Sequence, residues 1–342
     1  IIGSEYLVNE SAIKNYTNNR GVVGVIQADD IVYTRQGFVF SQWSFKPTQK
    51  LLLNAGISLN QQVYEFKSLL ALNQPLLSRK IQSPISPRVT LNYSLTSNLN
   101  LYGIIARGFS APSLAEIRPS DGNFYPSLNA EQGWNTEIGI KGNLFSNQVL
   151  IDFSVYSFQL NNAIVRRNDL NGNEYFVNAG ATKQNGLEAM IKYKLVKDSK
   201  ERNYNIDITN SFSFQPYRFT NYQQGGTVFN GNPITGVPKF IWATTLNFSH
   251  TNGWAFNISA NLTSRISLND AATVYAEGYE LLQAKLSKQF KWKQSYFQLF
   301  VGGDNLLNQL YSLGNDINAV GNRYYNPAPT RNGYLGIRIN LQ

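Results

Sequence analysis

The sequence predicts an all-β fold, a transmembrane antiparallel β-barrel of about 13 to 14 strands, on three observations. Apolar and polar residues alternate in paired segments joined by short polar turns, six times along the chain, and a much longer loop separates each pair from the next. The segments run to roughly 10 residues, the length a strand needs to cross a bilayer at a tilt of about 45°. No window holds the roughly 18 consecutive apolar residues of a membrane helix, and mean hydropathy is −0.28. A closed sheet is then the structure that hides such a backbone in lipid.

The first element, Ile1 to Tyr6, reads as the tail of a strand. Thirteen full strands follow, beginning with Tyr33–Phe45 and Lys50–Tyr64 on either side of the turn Lys46-Pro47-Thr48-Gln49. In the second of these, Leu51, Leu53, Ala55, Ile57 and Leu59 share one face, while Asn54, Gly56, Ser58 and Asn60 lie opposite. That polar face of small neutral residues suits a wet lumen. Pro87–Leu95 and Leu99–Phe109 flank Thr96-Ser97-Asn98, and Gly133–Leu144 and Val149–Ile164 flank Phe145-Ser146-Asn147-Gln148. Gly186–Leu195 and Tyr204–Phe214 are joined by the turn Val196 to Arg202, and Pro238–Ser249 and Trp254–Leu262 by His250-Thr251-Asn252-Gly253. Tyr279–Phe290 and Gln294–Asn305 meet at Lys291-Trp292-Lys293-Gln294, and Arg331–Leu341 comes last, with Leu335, Ile337, Ile339 and Leu341 on its apolar face. The long connections are Val8 to Ile31, Glu65 to Ser86, Ser110 to Gln132, Val165 to Asn185, Gln215 to Val237, Ser264 to Gly278 and Leu306 to Thr330. All fall opposite the short turns, as short periplasmic and long extracellular connections do in such barrels. Seven on one side suggest a surface that meets a ligand.

Composition narrows the chemistry. There is no cysteine, so disulfides, thiolate metal sites and cysteine nucleophiles are excluded. The single histidine, His250, reads as a solvated turn residue on the periplasmic side, which argues against a serine-histidine hydrolase at the outer rim. Aromatics make up 13% of the chain, and Trp43, Phe45, Tyr64, Trp134, Phe145, Trp254 and Trp292 fall near strand ends, where interfacial girdles belong. The net charge of +9 favours anionic ligands or lipid head groups, but the basic residues are dispersed, so no nucleic-acid partner is expected. Ile1 is preceded by no initiator methionine and followed by no signal-peptide pattern, so the chain is expected to be a portion of a longer product.

Four motifs occur in order. Tyr102 to Glu116 contains Gly108-Phe109-Ser110-Ala111-Pro112-Ser113, and resembles the "GFRAPSxxE" signature of TonB-dependent outer-membrane receptors, with Ser110 replacing the usual arginine. Leu128 to Lys141 is similar to that family's "L-x-P-E-x-x-x-x-x-E-x-G-x-K" segment, with Ala130 in place of proline. Asn178-Ala179-Gly180 with Gly186-Leu187-Glu188 resembles its "N-x-G … G-x-E" strand, and Gly303 to Tyr311 resembles "x-x-N-L-F-N-x-x-Y". The resemblance implies a siderophore-receptor type of protein: a 22-stranded barrel, of which this chain is the carboxy-terminal part as one domain over 1–342, with the plug domain absent from the chain. It also implies coupling to the TonB-ExbB-ExbD complex through that missing amino-terminal plug.

The same resemblance places the ligand above the plug, among strand apices and loops. Arg107, Arg118, Tyr125, Arg166, Arg167, Arg323, Tyr324, Tyr325 and Arg331 are the candidate contacts, since arginine forks and tyrosine faces suit a polyanionic ferric chelate. Contact with lipopolysaccharide phosphates or plain solvation are the competing readings for each. Glu131, Glu137, Lys141 and Glu188 are expected to point inward, as lumen charge pairs or plug contacts. Gly108, Gly139 and Gly186 read as strand-bending positions, and Pro112 as fixing a loop exit. No cofactor or resident metal is expected, because iron would arrive already chelated. A ferric siderophore is the favoured nutrient, with haem, cobalamin or a glycan left open. A passive 14-stranded channel of porin or fatty-acid-transporter type remains the alternative, and a barrel-embedded hydrolase a third.

Overall fold

The computed structural model describes all residues except 72–74, 83–84, 121, 169–172, 179, 197–202, 225 and 341–342. Fourteen long strands form one antiparallel sheet in which chain order is also spatial order. They are β1 (Ile2–Asn19), β2 (Val22–Phe45), β3 (Leu51–Ser68), β4 (Ser86–Ser94), β5 (Leu99–Ser110), β6 (Glu131–Leu144) and β7 (Val149–Asn161). The series continues with β8 (Ala181–Lys194), β9 (Tyr204–Phe214), β10 (Phe240–His250), β11 (Trp254–Thr263), β12 (Tyr279–Trp292), β13 (Ser295–Asp304) and β14 (Asn332–Asn340). Two short strands extend the sheet, Leu77–Gln82 beside β3 and Arg218–Asn221 beside β8. Among the described residues β1 and β14 are the free edges and do not pair with each other. This is a barrel wall, and its faces follow the sequence pattern. Ala55, Ile57 and Leu59 of β3 are exposed while Asn54, Gly56, Ser58 and Asn60 face the other way and are partly covered. Trp43, Phe45, Trp134, Phe145, Trp254 and Trp292 are exposed near strand ends, as girdle residues are.

Several expectations are corrected. Val8 to Ile31 is not a loop: β1 and β2 pair along their whole length up to the turn Arg20-Gly21, where φ values of 55° and 92° fit a tight two-residue hairpin and Asn18 Oδ1 accepts from the Gly21 amide. Above the bilayer one face of this hairpin meets water and the other is covered by residues 111–130 at Asp30 and Val32, so lipid imposes no apolar alternation on its strands. Tyr64 does not belong to the aromatic girdle; it is 1% exposed and its hydroxyl donates to the Pro112 carbonyl. The Glu65 to Ser86 connection contains the strand Leu77–Gln82, and His250 closes β10, where its Nδ1 accepts from the Asn252 amide at 3.1 Å. Within the turn from Val196 to Arg202, residues 197–202 lie outside the described residues, as do Ala179 of the third motif and Leu341 of the last strand.

The buried core sits at the long-loop end rather than in the membrane-crossing wall. Residues 111–130 carry a short helix, α1 (Leu114–Ile117), whose capping box pairs Ser113 with Glu116. This segment packs Ile117 and Ala130 onto Val32, Tyr64, Phe66 and Ile81, and Phe124 stacks on Phe66 at 5.1 Å. Two smaller clusters centre on Phe219 with Tyr222 and on Leu268 with Tyr324.

Two of the three motif glycines make room for a neighbouring ring. A Cβ on Gly139 would lie 2.4 Å from the Tyr102 ring, and one on Gly186 would lie 2.3 Å from the Tyr156 ring. Gly302 under Tyr334 and Gly336 under Phe300 repeat the arrangement, each with an aromatic ring lying across a neighbouring strand's glycine. Gly108 has no ring over it; its nearest neighbour is the Gly133 carbonyl at 3.9 Å.

Candidate functional site

At the long-loop end, the connections between strands form a cap held by two buried ion pairs. In the first, Arg118 Nε and Nη2 reach Asp30 Oδ2 at 2.9 and 2.6 Å, and Nη1 donates to the Pro119 carbonyl at 2.7 Å. The pair ties the loop after β5 to the β1–β2 hairpin, with side chains 1% and 4% exposed. In the second, Arg167 Nη1 lies 2.9 Å from Asp270 Oδ2, and the guanidinium sits over the Tyr222 ring at 5.2 Å. Asp270 also accepts from the hydroxyls of Tyr222 and Thr235 and from Asn318 Nδ2. One carboxylate therefore joins segments 162–180, 215–239, 264–278 and 305–331. Burial pulls the Arg167 guanidinium below its ordinary pKa, and the Asp270 charge works against that shift.

This geometry divides the nine candidate contacts. Arg118 and Arg167 are closed off, each buried against an aspartate, and Tyr324 is closed off inside a hydrophobic cluster. Arg166 is half engaged, 2.8 Å from Glu174. Tyr125 is half-buried and stacks on Tyr175 at 6.3 Å. Arg107 donates to Gln132 Oε1 at 2.9 Å. Arg323, Tyr325 and Arg331 are exposed; the Tyr325 hydroxyl donates to the Tyr275 carbonyl at 3.0 Å, and the Arg331 amide donates to Asn308 Oδ1.

The four charges expected inside lie along β6 and β8, as strand register dictates. Glu137 accepts from the Tyr102 hydroxyl at 2.9 Å, Lys141 pairs with Asp152 at 2.8 Å, and Glu188 is exposed on the same face, opposite Ser154. Glu131, at the outer end of β6, accepts from the Ile164 amide at 2.8 Å; burial raises its pKa, that hydrogen bond lowers it, and the Glu116 charge raises it. Tyr64 is the fourteenth residue of β3, beyond the roughly 10 that cross the bilayer, and burial with the Glu116 charge pushes its phenol up to about 12. Sequence reading missed Asp30, Asp270 and Tyr222, whose importance lies in distant partners. It also passed over Arg79 and Lys80, although Leu77 to Ile81 alternates weakly.

Residues 2–306 match the model of the family described as "TonB dependent receptor-like, beta-barrel". The chain belongs to that family of receptor β-barrels. Solved structures agree on the fold. The ferric citrate transporter FecA in its unliganded form superposes with a TM-score of 0.78 at 17% identity, over 99% of this chain and 51% of that one. The copper transporter OprC gives 0.74 at 14% identity over 98% and 55%, and the ferric-catecholate import receptor Fiu from K12 E. coli gives 0.70 at 15% over 99% and 52%. This receptor barrel thus spans about half the length of the solved structures it matches. The family and these neighbours are transport receptors, and at such identities the likeness carries the fold alone.

Proposed function

We propose that the protein is the barrel portion of an outer-membrane active-transport receptor of a Gram-negative bacterium. In this reading it captures a ferric siderophore at its extracellular loops and imports it with energy from TonB-ExbB-ExbD. The observation that carries the reading is the clasped cap: four loop segments meet at Asp270, and Arg323, Tyr325 and Arg331 stand exposed on the segment before β14. A firm cap bearing guanidinium forks and phenols fits recognition of a polyanionic chelate, because preorganised donors lose little entropy on binding. The ferric citrate transporter and the ferric-catecholate import receptor among the matched structures support iron as the cargo. Iron enters in this reading as part of the ligand. The 342 residues act as one barrel unit, with further strands between β14 and β1 as in a 22-stranded barrel, since backbone groups on both free edges need partners in lipid. Glu137 and Glu188 would face the plug supplied by the rest of the receptor.

The test is uptake of radiolabelled iron by receptor-deficient cells expressing the full receptor, with citrate, catecholate and hydroxamate chelates compared. Import should depend on TonB, and the Arg323→Ala/Arg331→Ala variant should lower it at least about tenfold, the loss typical of an anchoring contact. Steady conductance in planar bilayers, with TonB-independent uptake, would sink the proposal in favour of a passive channel.

A further inference from the structure

A cavity of about 430 Å³ lies between the short strand Leu77–Gln82 and the outer end of β6, and most of its lining residues carry side-chain hydrogen-bond donors. Arg79 and Lys80 line it from the strand, Asn129 and Gln132 from the entry to β6, and Asn162 from the end of β7. Ile81 and Ala130 form its apolar wall, continuous with the buried cluster behind. The strand pairs with β3 at residues 61–66, past the stretch that crosses the bilayer, so the cavity opens at the outer rim.

The hydrogen bonds around it settle which atoms are left over. Arg79 Nη2 donates to Asn129 Oδ1 at 3.0 Å and to the Leu128 carbonyl at 3.4 Å, and Arg107 Nη2 donates to Gln132 Oε1 at 2.9 Å. Guanidinium groups have no acceptor, so these contacts fix both amides with oxygen toward arginine and NH2 groups unspent. Among the described residues Arg79 Nε is buried without a hydrogen-bond partner. Among the described residues no carboxylate lines the cavity; Glu131, between Ala130 and Gln132, has Oε1 on the Ile164 amide. Buried donors are ordinarily paired, and a donor set that holds a buried guanidinium nitrogen and no carboxylate is complemented by an anion.

We infer that this cavity is an anion site for a phosphorylated sugar, with the phosphate held by Arg79 and the hydroxyls met by the amides of Asn129, Gln132 and Asn162. The volume falls within the roughly 300–1,000 Å³ of pockets that take small organic ligands, and exceeds what a bare phosphate fills. Asn162 Nδ2 donates to the Ala130 carbonyl at 3.5 Å, which leaves its oxygen to accept from a sugar hydroxyl. The same chemistry is offered by a free sugar phosphate and by the phosphorylated head group of an outer-leaflet glycolipid.

The full receptor in detergent is titrated calorimetrically with glucose 1-phosphate, with glucose, and with micelles containing a glycolipid bearing a phosphorylated glucosamine head group. Binding of glucose 1-phosphate assigns a soluble ligand, and binding of the glycolipid alone assigns a head group. In both cases Arg79→Gln should weaken binding at least about tenfold, the loss of a charge-assisted contact, and Lys80→Gln less. Retained resistance to unfolding in detergent shows that these variants keep the barrel. Binding of neither phosphorylated probe, equal binding of glucose, or full affinity in Arg79→Gln overturns the assignment. The iron-uptake experiment fails or succeeds independently of this one.

Discussion

Replacing Asp30 by alanine should release the loop after β5 while leaving the wall intact. Asp30 accepts two guanidinium contacts from Arg118, at 2.9 and 2.6 Å, and among the described residues the guanidinium's other hydrogen bond goes to the Pro119 carbonyl. Removing one partner of a buried pair strands the other charge and costs about 3–5 kcal/mol. Each 1.4 kcal/mol is about tenfold in an equilibrium, so transient opening of residues 111–130 should become more frequent by roughly two to three and a half orders of magnitude. Hydrogen exchange reads this at the amides of Ile117, Arg118 and Tyr125, which are bonded to Ser113, Leu114 and Ile117 carbonyls. Amides in the β5–β6 ladder serve as the internal reference. The combined variant Asp30→Leu/Arg118→Met, which replaces both charges by apolar groups, should recover most of the protection. Unchanged exchange in Asp30→Ala, or a double variant as labile as the single one, would refute the reasoning.

Asp270→Ala leaves Arg167 buried without its counter-ion and removes the acceptor of Tyr222, Thr235 and Asn318. Limited proteolysis within 215–239 and 305–331 should accelerate at least about tenfold, with cleavage in the wall unchanged. Gly186→Ala drives a methyl to 2.3 Å from the Tyr156 ring, so a loss of about 1–3 kcal/mol is expected as a lower unfolding midpoint in detergent, and Tyr156→Ala in the same chain should restore it in part. Tyr64 is an acid whose folded pKa stands above the ordinary 10, at about 12, so its contribution is complete below pH 10 and declines as pH rises through 12. Ultraviolet titration of the phenols should lose one late-ionising tyrosine in Tyr64→Phe, with exchange at the Pro112 to Ser113 segment of the unsubstituted chain rising over the same interval.

Most of the wall was legible in the residues themselves. The alternation in β3 marks its lipid face, and the short turns mark the hairpins; the ordered motifs from Tyr102 to Tyr311 mark the family. The β1–β2 hairpin was missed above the membrane, although Asn18, Arg20 and Gly21 offered a turn signal there. Gly139 and Gly186 stood out as motif glycines, but the rings of Tyr102 and Tyr156 that require them come from neighbouring strands.

The candidate site was legible only as a set of residue types. Nothing near Arg118 distinguishes it from Arg331, yet one is sealed against Asp30, 88 residues away, and the other is exposed. Lipid acts on each strand residue singly, so a bilayer-crossing wall writes its code at period two along the chain. Water on the outer side imposes no such code, and which arginine stays free is decided by where the folded loops bring a carboxylate. The sequence by itself determined the barrel and its family; the tertiary structure decided which charges hold the cap together and which stay exposed.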